Sequence, residues 1–250
     1  MDSGSISESV SVVSRRKAAL VTGGAKRMGS QLALALARQV MDVAITFLNS
    51  AAAAAETVRG IEALGARSIA LPMDVRSEAS VCDAVHAAAT TFGSLDLLVN
   101  NAAVFETVPL AEISVDQWDA VFETNTRGPF LTAKAAIPFL KAARGRIVNL
   151  GSLGGSHPWA THAHYCASKA ALQMLTQTMA KAFAPEISVN CVAPGYIEFA
   201  TGGEASHFAA KTPMGRNGSA EDVAAAVLFF ATGPHFITGQ ILTVDGGLGL

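Results

Sequence analysis

Seven short β-type runs, rich in apolar residues, punctuate the chain: Ala18–Thr22, Val43–Leu48, Ser68–Leu71, Leu95–Val99, Arg146–Leu150, Ser188–Val192 and Gln240–Val244. Most place apolar residues at successive positions instead of every second one, the pattern of a strand buried on both faces. Between them, Ala- and Leu-rich stretches at 29–40, 52–64, 78–91, 116–141, 164–183 and 219–231 carry their apolar residues at helical spacing. Regular alternation of such strands and helices predicts a doubly wound α/β fold, a parallel sheet covered on both faces. The alanine tract Ala51–Ala55 reads as a helix start with Ser50 as its cap. No repeat and no linker divides residues 17–250, so a single domain is expected.

Composition narrows the class. A chain of 250 residues with 50% hydrophobic and 15% charged residues is long enough for one large core and too apolar for disorder. Mean hydropathy is +0.36, yet no apolar run reaches the ~18 residues that a membrane span needs. A net charge of −2 offers no basic field for nucleic acid or an anionic membrane. Cys82, Cys166 and Cys191 form no C-x-x-C pair. That usage argues against a disulfide frame or a structural zinc site and suits a reducing, cytoplasmic setting. Residues 1–16 read as a flexible serine-rich tail, because the apolar run after Arg15-Arg16-Lys17 is too short for a secretory signal.

In an open parallel sheet, ligands bind beyond the carboxyl ends of the strands. The first strand runs into Thr22-Gly23-Gly24-Ala25-Lys26-Arg27-Met28-Gly29 and then a helix. Glycines let backbone N–H groups approach a diphosphate, and the helix N-terminus favours the anion. A dinucleotide site for NAD usually carries an acid about 20 residues further on, for the ribose 2′-hydroxyl. Here Val43 to Ala55 contains no acid, and the second strand closes on Asn49 and Ser50. Lys26 and Arg27, placed in the loop, suit the extra phosphate of NADP(H). NADPH is therefore expected over NADH.

A second constellation follows the fifth strand, with Ser152 at its end, then Tyr165 and Lys169. The i,i+4 spacing puts Tyr165 and Lys169 on one helical face. An ammonium beside a phenol favours the phenolate, so Tyr165 is expected to have a lowered pKa and to act as acid and base, with Ser152 bonding the same substrate oxygen. Pro129 stands four residues after Asn125, and a helical proline leaves the i−4 carbonyl without its donor.

Thr22-Gly23…Gly29, Asn100-Asn101-Ala102, Ser152, Tyr165-Cys166-Ala167-Ser168-Lys169 and Pro194-Gly195 together resemble the short-chain dehydrogenase/reductase family, over about Lys17 to Gly247. The stretch Gly145–Gly195 and the ending Ile237-Thr238-Gly239…Val244-Asp245-Gly246-Gly247 look most like its 3-oxoacyl-thioester reductases. The resemblance implies a Rossmann-type sheet of order 3-2-1-4-5-6-7, hydride exchange between a ketone and a secondary alcohol, and a homotetramer assembled on the helices 116–141 and 164–183. It assigns proton transfer to Tyr165, the nicotinamide ribose to Lys169, the carbonyl to Ser152, and a water relay to Asn125. Gly23, Met28, Gly29, Asp74, Val75, Asn101, Ala102, Ala103, Pro194, Gly195 and Ile197 would line the rest of the cofactor path, while Asn100 would brace the sheet.

Three positions depart from the pattern. Arg27 replaces the middle glycine, Ala103 the glycine of Asn-Asn-Ala-Gly, and Phe199 a common threonine, for which Thr201 is a possible substitute. Arg27 and Phe105 are also seen in pteridine reductases, which is the alternative reading; Ser152, where those enzymes look to have an aspartate, speaks against it. A non-catalytic NADP(H)-binding regulator is the alternative from another class. Phe105, Trp159, Tyr196 and Phe199 fall on loops expected to border the nicotinamide and suggest an apolar substrate pocket, with a lid over about 196–215. His157, His162, His164 and Cys166 crowd one segment but lack a second ligand cluster, so no metal is expected.

Overall fold

The computed structural model describes residues 15–199 and 205–250; the first fourteen residues of the tail read over 1–16, residues 200–204 of the expected lid and the Thr201 substitution lie outside them. Seven parallel strands form one sheet in the order β3-β2-β1-β4-β5-β6-β7, the order the resemblance implies. They are β1 (Ala18–Val21), β2 (Asp42–Phe47), β3 (Ser68–Pro72), β4 (Leu97–Asn100), β5 (Arg146–Leu150), β6 (Ser188–Pro194) and β7 (Ile241–Val244). The helices are α1 (Arg27–Arg38), α2 (Ala51–Ala63), α3 (Glu78–Phe92), α4 (Val115–Phe122), α5 (Gly128–Ala143), α6 (Ala163–Phe183), α7 (Ala205–Lys211) and α8 (Ala220–Thr232).

Successive side chains of a strand point to opposite faces, and the core follows that rule. Ala19, Val21, Val43, Ile45 and Val99 pack with Leu32, Leu36, Ile61 and Val227 of α1, α2 and α8. Ala18, Leu20, Ala44, Leu98 and Ile147 face the other way, onto α3, α5 and α6. The central strands are buried on both sides, which is why apolar residues stand at successive positions in them. A buried polar ladder ties the middle of the sheet together. Asn100 donates to Asn149 at 2.9 Å, Thr132 donates to Asn100 at 2.6 Å, and Asn149 donates to Thr176 at 2.9 Å. Below the sheet, Arg15 forks onto Asp96 at 2.8 and 2.9 Å, so order begins at the end of the stretch read as tail.

Two expectations need correction. The stretch 116–141 is not one helix. It is α4 and α5 joined by a π turn at Glu123–Arg127, where the Gly128 N–H reaches back to the Glu123 carbonyl. Pro129 supplies the reason, since it can donate no helical bond and its ring crowds the preceding turn. Gly128 keeps the junction close to Val75, since a Cβ there would lie 3.1 Å from the valine side chain. Ser50 does precede α2, but its side chain makes no capping bond. Among the described residues no helix is long and apolar enough to cross a membrane.

Candidate functional site

The carboxyl ends of β1 to β6 open into one cleft of about 1610 Å³, which runs from Asn49 and Asp74 past the glycine loop to Ser152, Tyr165 and Ile197. Its floor is the loop between β1 and α1. Gly23 has a positive φ of 62°. A Cβ on Gly29 would fall inside contact distance of the Gly23 carbonyl oxygen and 2.7 Å from Asn101 Nδ2, so only glycine lets these two backbones touch. Thr22 Oγ1 accepts from the N–H groups of Asn101 (2.9 Å) and Ala102 (3.0 Å). Asn101 Nδ2 returns bonds to the carbonyls of Thr22 and Gly23 at 2.9 and 3.1 Å. The amide of Asn101, expected on the cofactor, thus holds the loop in shape.

The N-terminus of α1 has no side-chain cap and no acid in its first turn. Its leading N–H groups and partial positive charge are therefore available to an anion. Arg27 is exposed and sits in the left-handed region, φ 53°. The end of β2 carries no carboxylate, and both Asn49 and Ser50 line the cleft. These features fit a phosphorylated dinucleotide. Asp74 is less free than expected: its carboxylate accepts from the Arg76 guanidinium at 2.7 and 3.0 Å, and that pairing holds it below the usual carboxylate range.

At the far end stand the acid–base candidates. Ser152 closes β5 in extended conformation, nearly buried, with its oxygen accepting from Gly154 N–H at 3.1 Å. Tyr165 and Lys169 rise on the first turns of α6. Lys169 is buried, donates to the Leu150 carbonyl at 2.7 Å, and has no carboxylate partner among the described residues. Burial pushes its ammonium down to about 8. The expectation for Tyr165 reverses in the polypeptide: burial pushes the phenol up, against a smaller downward pull from its hydrogen bond to Ser152. Lys169 Nζ lies over the ring, 5.8 Å from its centre, and is spent on Leu150 instead of the phenol oxygen.

Asn125 sits in the π turn, fully buried and outside the cleft wall. Its Oδ1 accepts from Val104 N–H at 2.8 Å, while Nδ2 donates to the Val104 carbonyl at 2.9 Å and to Ser168 Oγ at 3.1 Å. The side chain thereby pins the loop after β4 to α6, and only its backbone carbonyl is left for a relay.

Of the four aromatics assigned to the substrate pocket, two frame Tyr165. Phe105 stands edge-on to it at 4.8 Å, and Trp159 lies parallel at 6.2 Å. His162 closes the circuit, stacked on Phe105 at 4.7 Å and edge-on to Trp159 at 5.7 Å. Gly154 permits this, because a Cβ there would meet the Trp159 ring at 3.0 Å. Tyr196 stacks on Phe208 of α7 at 4.3 Å. Phe199 goes elsewhere, onto Arg27. Sequence reading missed His162 and Phe208 as cleft walls; a seven-residue helix is too short to announce itself by periodicity. The other histidines disperse. His157 Nε2 meets the Gly249 carbonyl at 2.7 Å, and buried His164 faces Glu106 at 3.8 Å. Among the described residues no three metal-ligating side chains converge.

A family model described as enoyl-(acyl carrier protein) reductase matches residues 23–249. The chain belongs to the short-chain dehydrogenase/reductase family. It is 36% identical over 236 residues to a 3-oxoacyl-[acyl-carrier-protein] reductase of Synechocystis, covering 92% of this chain and 96% of that one. A short-chain dehydrogenase of Burkholderia cenocepacia, solved in complex with NADP, superposes with a TM-score of 0.89 at 40% identity, covering 94% and 98% of the two chains. A blue fluorescent protein from a metagenomic library, solved with NADPH, gives 0.86 at 33%, with the same coverage. As a short-chain dehydrogenase/reductase, the chain is an oxidoreductase.

Proposed function

We propose that the protein reduces a ketone to a secondary alcohol at the expense of NADPH, with the reverse oxidation available. The observation that carries the reading is the meeting of Ser152, Tyr165 and Lys169 at one end of a cleft whose other end is an uncapped, glycine-floored helix N-terminus. The cofactor, when bound, supplies the hydride. Tyr165 gives its phenol proton to the carbonyl oxygen, and Ser152 donates to the same oxygen and orients it. Lys169, held by Leu150, presents its remaining N–H groups to the ribose of the dinucleotide. Asn125 keeps the loop carrying Phe105 against α6 and offers its carbonyl to the proton relay. Lys26 and the acid-free end of β2 suit NADPH, as do the two relatives solved with NADP and NADPH.

The test is NADPH consumption against an acetoacetyl thioester, a quinone, a steroid ketone, an aromatic diketone and a dihydropterin, with the alcohol product quantified. One alcohol per NADPH in a ketone class is the expected result. Turnover of the dihydropterin alone would favour the second reading, a pterin reductase, for which Phe105 beside Tyr165 is the supporting contact. NADPH binding without turnover of anything would favour a regulator.

The pH dependence follows from the two shifts. Lys169 is charged below about 8 and neutral above it. Tyr165, its phenol raised above the ordinary value, stays protonated across the neutral range. Reduction, which needs both protons in place, should be flat from pH 6 to 7.5 and fall above pH ~8, while alcohol oxidation, which needs the phenolate, should rise with pH. A reduction rate that climbs through pH 9 would contradict these roles.

Phe105 is 57% exposed although it lines the cleft beside Tyr165, so its free face suits a flat apolar substituent. Phe105→Ala should raise KM for an aryl ketone roughly five- to tenfold, the worth of one aromatic contact, and leave NADPH affinity unchanged. An equal loss in NADPH affinity would mean that the residue shapes the whole cleft instead.

We also propose a homotetramer in a reducing compartment. Trp118, Phe130 and Met174 are exposed on α4, α5 and α6, the helices the family resemblance puts at the subunit contact. Light scattering at the mass of four chains supports it; a monomer at working concentration refutes it.

A further inference from the structure

Two of the positions at which this chain departs from its family's pattern touch each other. Arg27, in place of a glycine, retains a glycine's backbone conformation at φ 53°. Phe199, in place of a threonine, leaves the loop after β6 and brings its ring beneath the Arg27 guanidinium, whose central carbon lies 4.9 Å from the ring centre. Such a contact uses the ring face and leaves the five guanidinium N–H donors for another partner. Among the described residues, none of those donors makes a hydrogen bond or ion pair; the bond from Ser30 Oγ, at 2.9 Å, falls on the Arg27 backbone carbonyl. The side chain is a cation held in position by an aromatic face, at the first residue of a helix whose N-terminus is uncapped.

The direction in which it is held matters. In the sheet, β2 lies on one side of β1, while β4, β5 and β6 lie on the other. The ribose 2′-position of a dinucleotide is read at the end of β2, here Asn49 and Ser50, whereas the diphosphate rests on the helix N-terminus. The Arg27 guanidinium is paired with Phe199, on the loop that follows β6, a strand on the far side of β1 from Asn49 and Ser50. That differs from the sequence expectation, which put both loop cations at the 2′-phosphate.

We propose that Phe199 is a positioning residue that holds Arg27 across the cleft as a clamp on the diphosphate of the bound dinucleotide, leaving Lys26 to read the 2′-phosphate. The proposal rests on the cleft being a dinucleotide site. A diphosphate is common to NADPH and NADH, so the clamp strengthens both equally. The Lys26 side chain is exposed and makes no hydrogen bond or ion pair among the described residues, so it is free to discriminate.

The test is a double-mutant cycle read as Kd for NADPH and for NADH by fluorescence titration. Arg27→Gly, which removes the side chain and relaxes the backbone, should raise both Kd values at least about tenfold, the usual worth of a charge-assisted bond. Phe199→Leu should raise both about two- to fivefold, the worth of one cation–π contact, and should add nothing in the Arg27→Gly background. Phe199→Tyr, which keeps the ring face, should restore wild-type affinity. Lys26→Ala should weaken NADPH alone. The clamp is overturned if Phe199→Leu acts equally with and without Arg27, leaves both Kd values unchanged, or falls on NADPH only. Wild-type protein binding neither nucleotide would overturn the dinucleotide reading of the cleft and the clamp together, a result distinct from binding with an additive cycle.

Discussion

Tyr165→Phe should cut the rate of ketone reduction by about 10²–10⁴, the usual loss on removing a positioned acid, while NADPH binds as before. The substitution deletes one oxygen from a side chain whose ring is already set by Phe105, Trp159 and the turn of α6, so the walls of the cleft keep their shape. No other described group duplicates that oxygen. Ser152 Oγ accepts from Gly154 N–H, and its hydroxyl can orient the carbonyl but is too weak an acid to replace the phenol; Lys169 donates to Leu150 instead of the carbonyl position. The measurement is single-turnover reduction at saturating NADPH beside a cofactor titration. Retained turnover would remove Tyr165 from the chemistry; lost cofactor binding would make it a structural residue of the cleft.

The second large effect is structural. Gly29→Ala should lower the stability of the protein by about 1–3 kcal/mol, the ordinary cost of forcing atoms into a packed site. At this chain length that corresponds to a fall in Tm of roughly 2–12 °C. The new methyl would push into the Gly23 carbonyl and come within 2.7 Å of Asn101 Nδ2. Neither is the far end of a flexible side chain, because Asn101 is tied to Thr22 and Gly23 at 2.9 and 3.1 Å. The same displacement would spread the loop on which the dinucleotide rests, so Kd for NADPH should rise by more than tenfold in the protein that remains folded. Calorimetry and titration of the same preparation separate the two effects. An unchanged Tm would show that the loop has more room than the close approach of Gly23 and Gly29 allows.

The strands were legible because a strand buried on both faces favours successive apolar residues, and all seven fall within two residues of a run rich in them. The acid–base group was legible for a similar reason: a serine at a strand end and a Tyr/Lys pair at i,i+4 leave a local trace. Contacts between distant segments leave none. Nothing near Phe199 announces that its ring would meet Arg27. Nothing near His162 announces that it would bridge Phe105 and Trp159. Asn125 was legible as a position, through Pro129, but the π turn and the clamp on Val104 depend on where the loop after β4 lands. The pKa of Tyr165 was misjudged because spacing reveals proximity to Lys169 but not burial, and burial dominates. Ser50 shows the opposite limit, since it occupies the cap position while its hydroxyl makes no capping bond.

The central claim is hydride transfer to a carbonyl within this cleft, and isotope labelling tests it most directly. The protein is given NADPH carrying deuterium at the transferable position of the nicotinamide, together with the ketone it turns over best. The expected product is a secondary alcohol with one deuterium on the carbinol carbon per NADPH oxidised, formed by wild type and not by Tyr165→Phe. NADPH bound but unconsumed across the ketone panel, or an alcohol without deuterium on that carbon, would contradict the account.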